Sequence, residues 1–216
     1  VLTINLLHHL KKRCSRFFLL PSKLKTMNKM IIEGKNFERE DFSEKVLPKG
    51  EYEHCKFINC NFSNSDLTGI IFSECEFKGC NMSMAKLVNT AFTDAKFTDC
   101  KLLGLHFNNC KEFLFSVYFE NCILNFSTFF KRNLKKTKFK NSSIQDVDFS
   151  EADLSSAQFE NCDLARTSFV NTNIEKADFR SSYNYSIDPE KNKIKKAKFS
   201  LQGVVGLLDK YNIEIE

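Results

Sequence analysis

The chain has 216 residues, among them 23 phenylalanines, no tryptophan, three prolines and nine cysteines. That length allows one sizeable hydrophobic core or two small ones. The net charge of +5 does not mark a nucleic-acid footprint, because residues 1–29 carry seven Lys/Arg and no acid, leaving 25 Lys/Arg against 27 Asp/Glu over residues 30–216.

Residues 1–29 form a basic leader unlike the rest of the chain. Its cations come after a short apolar run and no small-residue cleavage site closes it, so it does not read as a secretory signal. No run of 18 or more apolar residues occurs in the chain, and no spanning helix is expected. Two readings of the leader stand. One is a basic amphipathic helix at a membrane surface. The other is an over-extended start or expression remnant, disordered, ahead of Met27 and Met30. The second is favoured, and no membrane partner is expected.

From Ile32 a large apolar residue returns at every fifth position, through Tyr52, Phe57, Phe62 and Leu67 to Phe107. The register slips by two residues across 108–113, resumes at Leu114, and runs on through Phe119, Leu124 and Phe129 to Phe179. Five fits neither ordinary element. On an α-helix each such step turns the side chain by about 140°, spreading the set around all faces. On a straight strand an odd step sends alternate members to opposite faces. All can point inward only if the chain turns at every pentad, so that four turns close a square coil of twenty residues and the coils stack as a solenoid. This gives two repeat segments, 30–107 and 114–199.

Neighbouring positions agree with this. Small side chains such as Ser65, Ala85, Thr90, Ala152 and Thr167 dominate the position two before each centre, and turn formers such as Asn59, Asn64, Gly69, Asp94 and Asn121 come two after it. The former suit a crowded inner corner, and the latter tolerate the left-handed conformation of a tight turn. The stretch HCKFINCNF at 54–62, echoed by Cys75 and Cys80, resembles the paired spacing of a thiolate zinc site. Cys55, Cys60, Cys75, Cys80, Cys100, Cys110, Cys122 and Cys162 all occupy the small inner slot, however, and only Cys14 in the leader does not. They read as small buried apolar groups, and so many unpaired thiols suit a reducing cytoplasm. His54 falls in a turn and is expected to face solvent.

In the second segment Phe and Leu/Ile alternate, which places Phe on two opposite inner faces of the coil. Past Phe179 the pattern stops at SSYNYSIDPEKNK, a loop with Tyr183, Tyr185 and Pro189, and returns at Ile194 and Phe199. Residues 200–216 read as a short helix and tail: Ser200 is a plausible N-cap, and Leu201, Val204, Val205 and Leu208 share one face. Such a helix would cover the open end of the last coil or serve a dimer contact.

The units Ala152-Asp153-Leu154-Ser155-Ser156, Cys162-Asp163-Leu164-Ala165-Arg166 and Ser65-Asp66-Leu67-Thr68-Gly69 resemble the pentapeptide repeat family, a likeness covering residues 32–199. It implies an all-β right-handed quadrilateral β-helix of about seven to eight coils, about 36 Å long at the usual strand spacing, with a C-terminal capping helix. It also implies a homodimer joined tail to tail through the C-terminus. The quinolone-resistance members imply a DNA mimic that binds DNA gyrase or topoisomerase IV. This chain departs from them in its weak body charge, its basic runs at 131–140 and 191–198, and an unbroken register from 32 to 107 where they insert a projecting loop.

No catalytic, cofactor or metal site is expected. Outside the leader, His54 and His106 fall at outward slots of different coils, no glycine-rich phosphate loop is present, and Asp146, Asp148, Glu151 and Asp153 sit at outward repeat positions. The candidate partner surface lies just past the phase slip: Phe113, Phe115, Tyr118, Phe126 and Phe130, with Lys131 and Arg132 beside them. None is a repeat centre, so all are expected outward unless the slip folds back over them. The sequence therefore points to a non-enzymatic interaction scaffold for a protein partner and not for nucleic acid directly, the alternative being the topoisomerase-binding, quinolone-protecting mimic. Phe159→Asp, which would put an unpaired carboxylate in the aromatic column, is expected to abolish folding; a folded variant with an undiminished melting temperature would refute the inward register.

Overall fold

Two residues past almost every inward side chain the backbone takes a positive φ, and this regular left-handed step bends the chain into a coil. Asn59, Asn64, Asn121, Asn141 and Asn161 hold φ between 48° and 56°, a region that asparagine visits at little cost. The computed structural model describes residues 30–215. The leader, with Cys14, and Glu216 lie outside the described residues.

Successive coils pair in parallel, with Ile32 beside Tyr52 and Phe57 beside Phe77, a step of twenty residues. We number the four faces in chain order. The first carries a four-stranded sheet built from Ile31–Glu33, Glu51–Glu53, Ile71–Ser73 and Ala91–Thr93. The second carries a seven-stranded sheet running from Asn36–Glu38 to Gln158–Glu160. The third and fourth are held by isolated bridges such as Asn61 to Asn81 and Thr128 to Asp148. The regular ladder spans about six turns, slightly fewer than the seven to eight coils expected. Past Glu160 the corners leave one paired residue per side, as in the bridges from Gln158 to Asp178 and from Asp178 to Lys198.

The second-face rings form one continuous stack: Phe37 on Phe57 at 4.8 Å, Phe57 on Phe77 at 4.9 Å, and so on to Phe159 on Phe179 at 4.7 Å and Phe179 on Phe199 at 5.4 Å. On the opposite, fourth face Phe107, Phe129, Phe149 and Phe169 stack at 4.5–5.6 Å. The two columns meet edge-on, as at Phe139 and Phe149. Each ring thus gains both offset and edge contacts beyond the area it buries.

The small slot has a polar duty as well. Cys80 Sγ donates to the Phe57 carbonyl at 3.2 Å and Cys100 Sγ to that of Phe77 at 3.3 Å, as Thr172 Oγ1 does to Phe149 and Ser182 Oγ to Phe159, each at 2.9 Å. The eight described cysteines are all free and buried. Burial pushes the thiols of Cys75 and Cys162 up, to about 12 and about 11.

Four features differ from the sequence expectation. Leu114 does not resume the register: it is 60 % exposed and takes the corner conformation itself, at φ 57°. The slip lies later than 108–113, because Lys111 N still donates to Thr90 O while Ser116 N reaches Phe92 O, so the extra residues bulge out over 112–115. The segment after Phe179 keeps coiling rather than forming a loop: Tyr183 pairs with Asp163, and Tyr185 and Ile187 are buried. The final segment is not an amphipathic α-helix but the 3₁₀ turns Gly203–Leu207 and Asp209–Tyr211. Gly203 and Gly206 lie so close against Tyr185 that no Cβ would fit, and glycine is a poor helix former.

With their thiols buried, the eight described cysteines are expected to resist Ellman's reagent at pH 8 until the protein unfolds. Peptide mapping of a labelled native sample checks this, and modified Cys80 or Cys100 would contradict it.

Candidate interaction surfaces

A solenoid turns one side chain per pentad inward and spends most of the others on its outer faces, so any site must be sought there. The bulge shows how the expected aromatic surface is distributed. Phe113 is 81 % exposed and stands with Leu114 at the corner between the first and second faces. Phe115 turns inward instead, packing half-buried against the core with its ring edge-on to Phe107 at 6.2 Å. Arg132 is buried too, contrary to the outward expectation, because it occupies the small slot two residues before Leu134. Its guanidinium donates to the carbonyls of Asn108 (2.6 Å) and Cys110 and lies 5.4 Å from the Phe115 ring. Burial moves its pKa down from the ordinary value; the carbonyl dipoles and the ring face take the place of water around the charge.

The remaining residues lie elsewhere. Tyr118 is half-buried on the second face and donates to Glu120 at 3.0 Å, and Glu120 also pairs with Lys140 at 2.9 Å. Phe130 is half-buried on the fourth face, with Lys131 Nζ 4.8 Å from its ring and 3.3 Å from Glu151. Phe126 is 65 % exposed at the corner between the third and fourth faces, diagonally opposite Leu114. The expected patch is thus divided among separate sides of the rod.

The same map reveals a patch that the sequence reading missed. On the third face Met84 (61 % exposed), Ile123 (42 %) and Phe126 lie within two coils of one another, with Leu103 half-buried between them. Met84 lies across Gly104, whose missing side chain leaves it room. Around them stand Ser63, Asn64, Asn81, Ser83 and Asn125, with Lys101 the one charge on the face between them and Asp146, paired with Arg166, at the corner one rung beyond Phe126. The available signal was that outward slots a coil apart are neighbours in space, so Met84, Leu103 and Phe126 adjoin although they are far apart in sequence.

The carboxylates Asp146, Asp148, Glu151 and Asp153 have separate duties. Asp146 takes both arms of Arg166 at 2.7 Å, which holds its pKa below the usual range; Asp148 and Asp153 accept from the backbone of Ser150 and Ser155; and Glu151 pairs with Lys131. His54 is exposed, 3.6 Å from Glu74. No cluster able to hold a metal occurs among the described residues, and none of their helices is long and apolar enough to cross a membrane. At the chain's end Leu201 (86 % exposed), Val204 and Val205 stay outside and Leu208 is half-buried, so the expected capping face does not cover the core; Leu207 packs there instead. A groove of about 820 Å³ lies beside it, lined by Arg166, Arg180, Tyr183, Tyr185 and Gln202 among others.

Arg132→Ala would leave the carbonyls of Asn108 and Cys110 unpaired and an empty slot beneath the bulge. The expected result is a loss of about 2–4 kcal/mol in urea unfolding and faster tryptic cleavage after Lys111. Unchanged stability and cleavage would show that the bulge does not depend on Arg132.

The comparisons with known proteins agree with this geometry. A family model for the pentapeptide repeat region matches residues 51–113 and 112–185. A search of curated proteins finds no match. Two trypsin-treated variants of QnrB1, described as a plasmid-mediated fluoroquinolone resistance protein, are similar in structure at 19 % and 20 % identity, each with a TM-score of 0.57 and covering 87 % of this chain and 98 % of theirs. HetL, a pentapeptide repeat protein involved in heterocyst differentiation regulation in the cyanobacterium Nostoc, is 16 % identical over 81 % of this chain and 86 % of its own, with a TM-score of 0.45. With a family model matching well over half of the chain, the chain belongs to the pentapeptide repeat family.

Proposed function

We propose that this protein is a non-enzymatic scaffold that binds a protein partner through its third face. The observation that carries this is the exposed apolar group Met84, Ile123 and Phe126 on a face whose outward positions from Asn61 to Gln145 carry a single charge, Lys101. A flat stacked face offers such side chains on a rigid support, so little ordering entropy opposes binding. Apolar contact among neutral polar groups also resists salt, unlike an ion-paired interface.

A second reading is the topoisomerase-binding mimic, favoured by the likeness in fold to a fluoroquinolone resistance protein. The electrostatics oppose it. Many surface charges are paired between coils, as in Lys56 with Glu76, Lys135 with Asp153 and Lys198 with Asp178. A near-neutral, mixed surface is a poor substitute for the continuous phosphate charge of a duplex.

A gyrase supercoiling assay with and without a quinolone, at two salt concentrations, separates the two. The scaffold reading expects neither rescue nor inhibition; rescue by equimolar protein at low salt would replace it with the mimic. In parallel, Met84→Ser/Phe126→Ser is expected to keep the wild-type melting temperature while losing at least about tenfold in partner affinity, as removing two central anchors does. Retained affinity would exclude the third face.

A further inference from the structure

The corner between the first and second faces reverses its charge halfway along the rod. Its outward turn residues include Glu74 and Asp94 before Leu114, and Lys136, Lys176 and Lys196 after it. The adjoining first face repeats the division. Ahead of the bulge its outward positions hold Glu33, Glu51 and Glu53, with Lys111 the one cation, at the foot of the bulge; beyond it they hold Lys135, Lys193 and Lys195, with Asp153 and Glu175 as the only acids.

The pivot is the bulge, and it stands on the middle rung. Ile32, Tyr52, Phe72 and Phe92 precede it as inward centres of this face, and Leu134, Leu154, Ile174 and Ile194 come after it. Its two apolar side chains, Phe113 and Leu114, are 81 % and 60 % exposed; the other strongly exposed apolar residue of this face, Ile31, lies at the rod's far end. Arg132 holds the loop from beneath through the carbonyls of Asn108 and Cys110, so the pair is displayed on a fixed support.

A surface that is acidic at one end, basic at the other and apolar at its midpoint is complementary to itself turned end over end. We infer that two copies of this chain pair antiparallel through the first face and its bulge corner, about a two-fold axis that crosses the rod at the middle rung. Such an axis keeps a residue's place across the face and inverts its place along the rod. Asp94 then meets Lys136 of the second copy, Glu33 meets Lys195, and Leu114 meets Leu114. Glu53 meets Glu175, with Lys176 beside it. A parallel pairing would set acid on acid and base on base.

Eight steps of about 4.8 Å give a contact about 38 Å long. At the width of one coil side it buries on the order of 1,200 Å² in total, the low end for specific interfaces. The dimer is therefore weak and, with charges open to solvent, sensitive to salt. This surface is separate from the third face, so the inference stands independently of the partner proposed there.

Sedimentation equilibrium of the full chain tests it. The wild type is expected to dimerise at about 50 mM salt and to weaken at least about tenfold at about 0.5 M. Lys136→Glu/Lys176→Glu/Lys196→Glu, and separately Glu33→Lys/Glu74→Lys/Asp94→Lys, are each expected to be folded monomers by circular dichroism. An equal mixture of the two is expected to dimerise again, because every reversed half then meets an unlike half. Leu114→Cys is expected to cross-link to itself on mild oxidation and Val205→Cys is not. A monomeric wild type, a dimer indifferent to salt and to charge reversal, or cross-linking through Val205 instead of Leu114 would overturn the inference; the last outcome would put the pairing at the chain's end.

Discussion

The structure depends on one coincidence of lengths. Parallel rungs are spaced about 4.8 Å apart by their hydrogen bonds, and phenyl rings stack favourably with centroids at about that separation. A coil of twenty residues returns a phenylalanine to the same place on every rung, so the ladder that satisfies the backbone also sets the rings at 4.7–5.4 Å along the second face. The other regularities derive from this. The inner corner favours small side chains because it is crowded by the inward centres, and a donor there can satisfy the carbonyl one rung away. Cysteine, serine and threonine meet both requirements. The outer corner must be left-handed, which explains the asparagines, aspartates and glycines there.

An insertion of two residues breaks this arrangement once, and the repair uses three unlike side chains. Leu114 accepts a left-handed corner that a leucine seldom adopts. Phe115 turns into the space a repeat centre would have filled. Arg132, in a slot that elsewhere takes small or aliphatic groups, reaches the two carbonyls that the displaced strand no longer satisfies. The bulge is thus where the interior dictates what appears on the surface. Arg132 and Phe115 are consumed in holding it, while Phe113 and Leu114 are displayed by it.

Elsewhere inside and outside are nearly independent. The coil asks only that outward residues not disturb the turns, which leaves its sides open to different uses. The third face is neutral and partly apolar, and the first is divided by charge, although both rest on the same kind of core. Likeness of fold therefore says little about partners, and chains below 25 % identity share a frame rather than a surface.

The solenoid was legible in the sequence alone. A period of five can be buried in no other way, and the small slots and turn residues repeat in phase with it, which also made legible the paired phenylalanine faces and the burial of the cysteines. Where the two extra residues went depended on packing in three dimensions, since either a loop at 108–113 or a bulge at 112–115 restores the register, and the choice rests on hydrogen bonds to Thr90 and Phe92 and on Arg132. Packing also decided that Gly203 and Gly206 fold against Tyr185 instead of extending a helix. The surfaces needed it most. Met84, Leu103 and Phe126 become neighbours only when coils stack, and Phe113 and Phe126, close in sequence, part because corners of one coil face opposite ways. Period governs what is buried, because burial repeats with the backbone; stacking governs what is shared on the outside, because there the nearest neighbour lies a whole coil away.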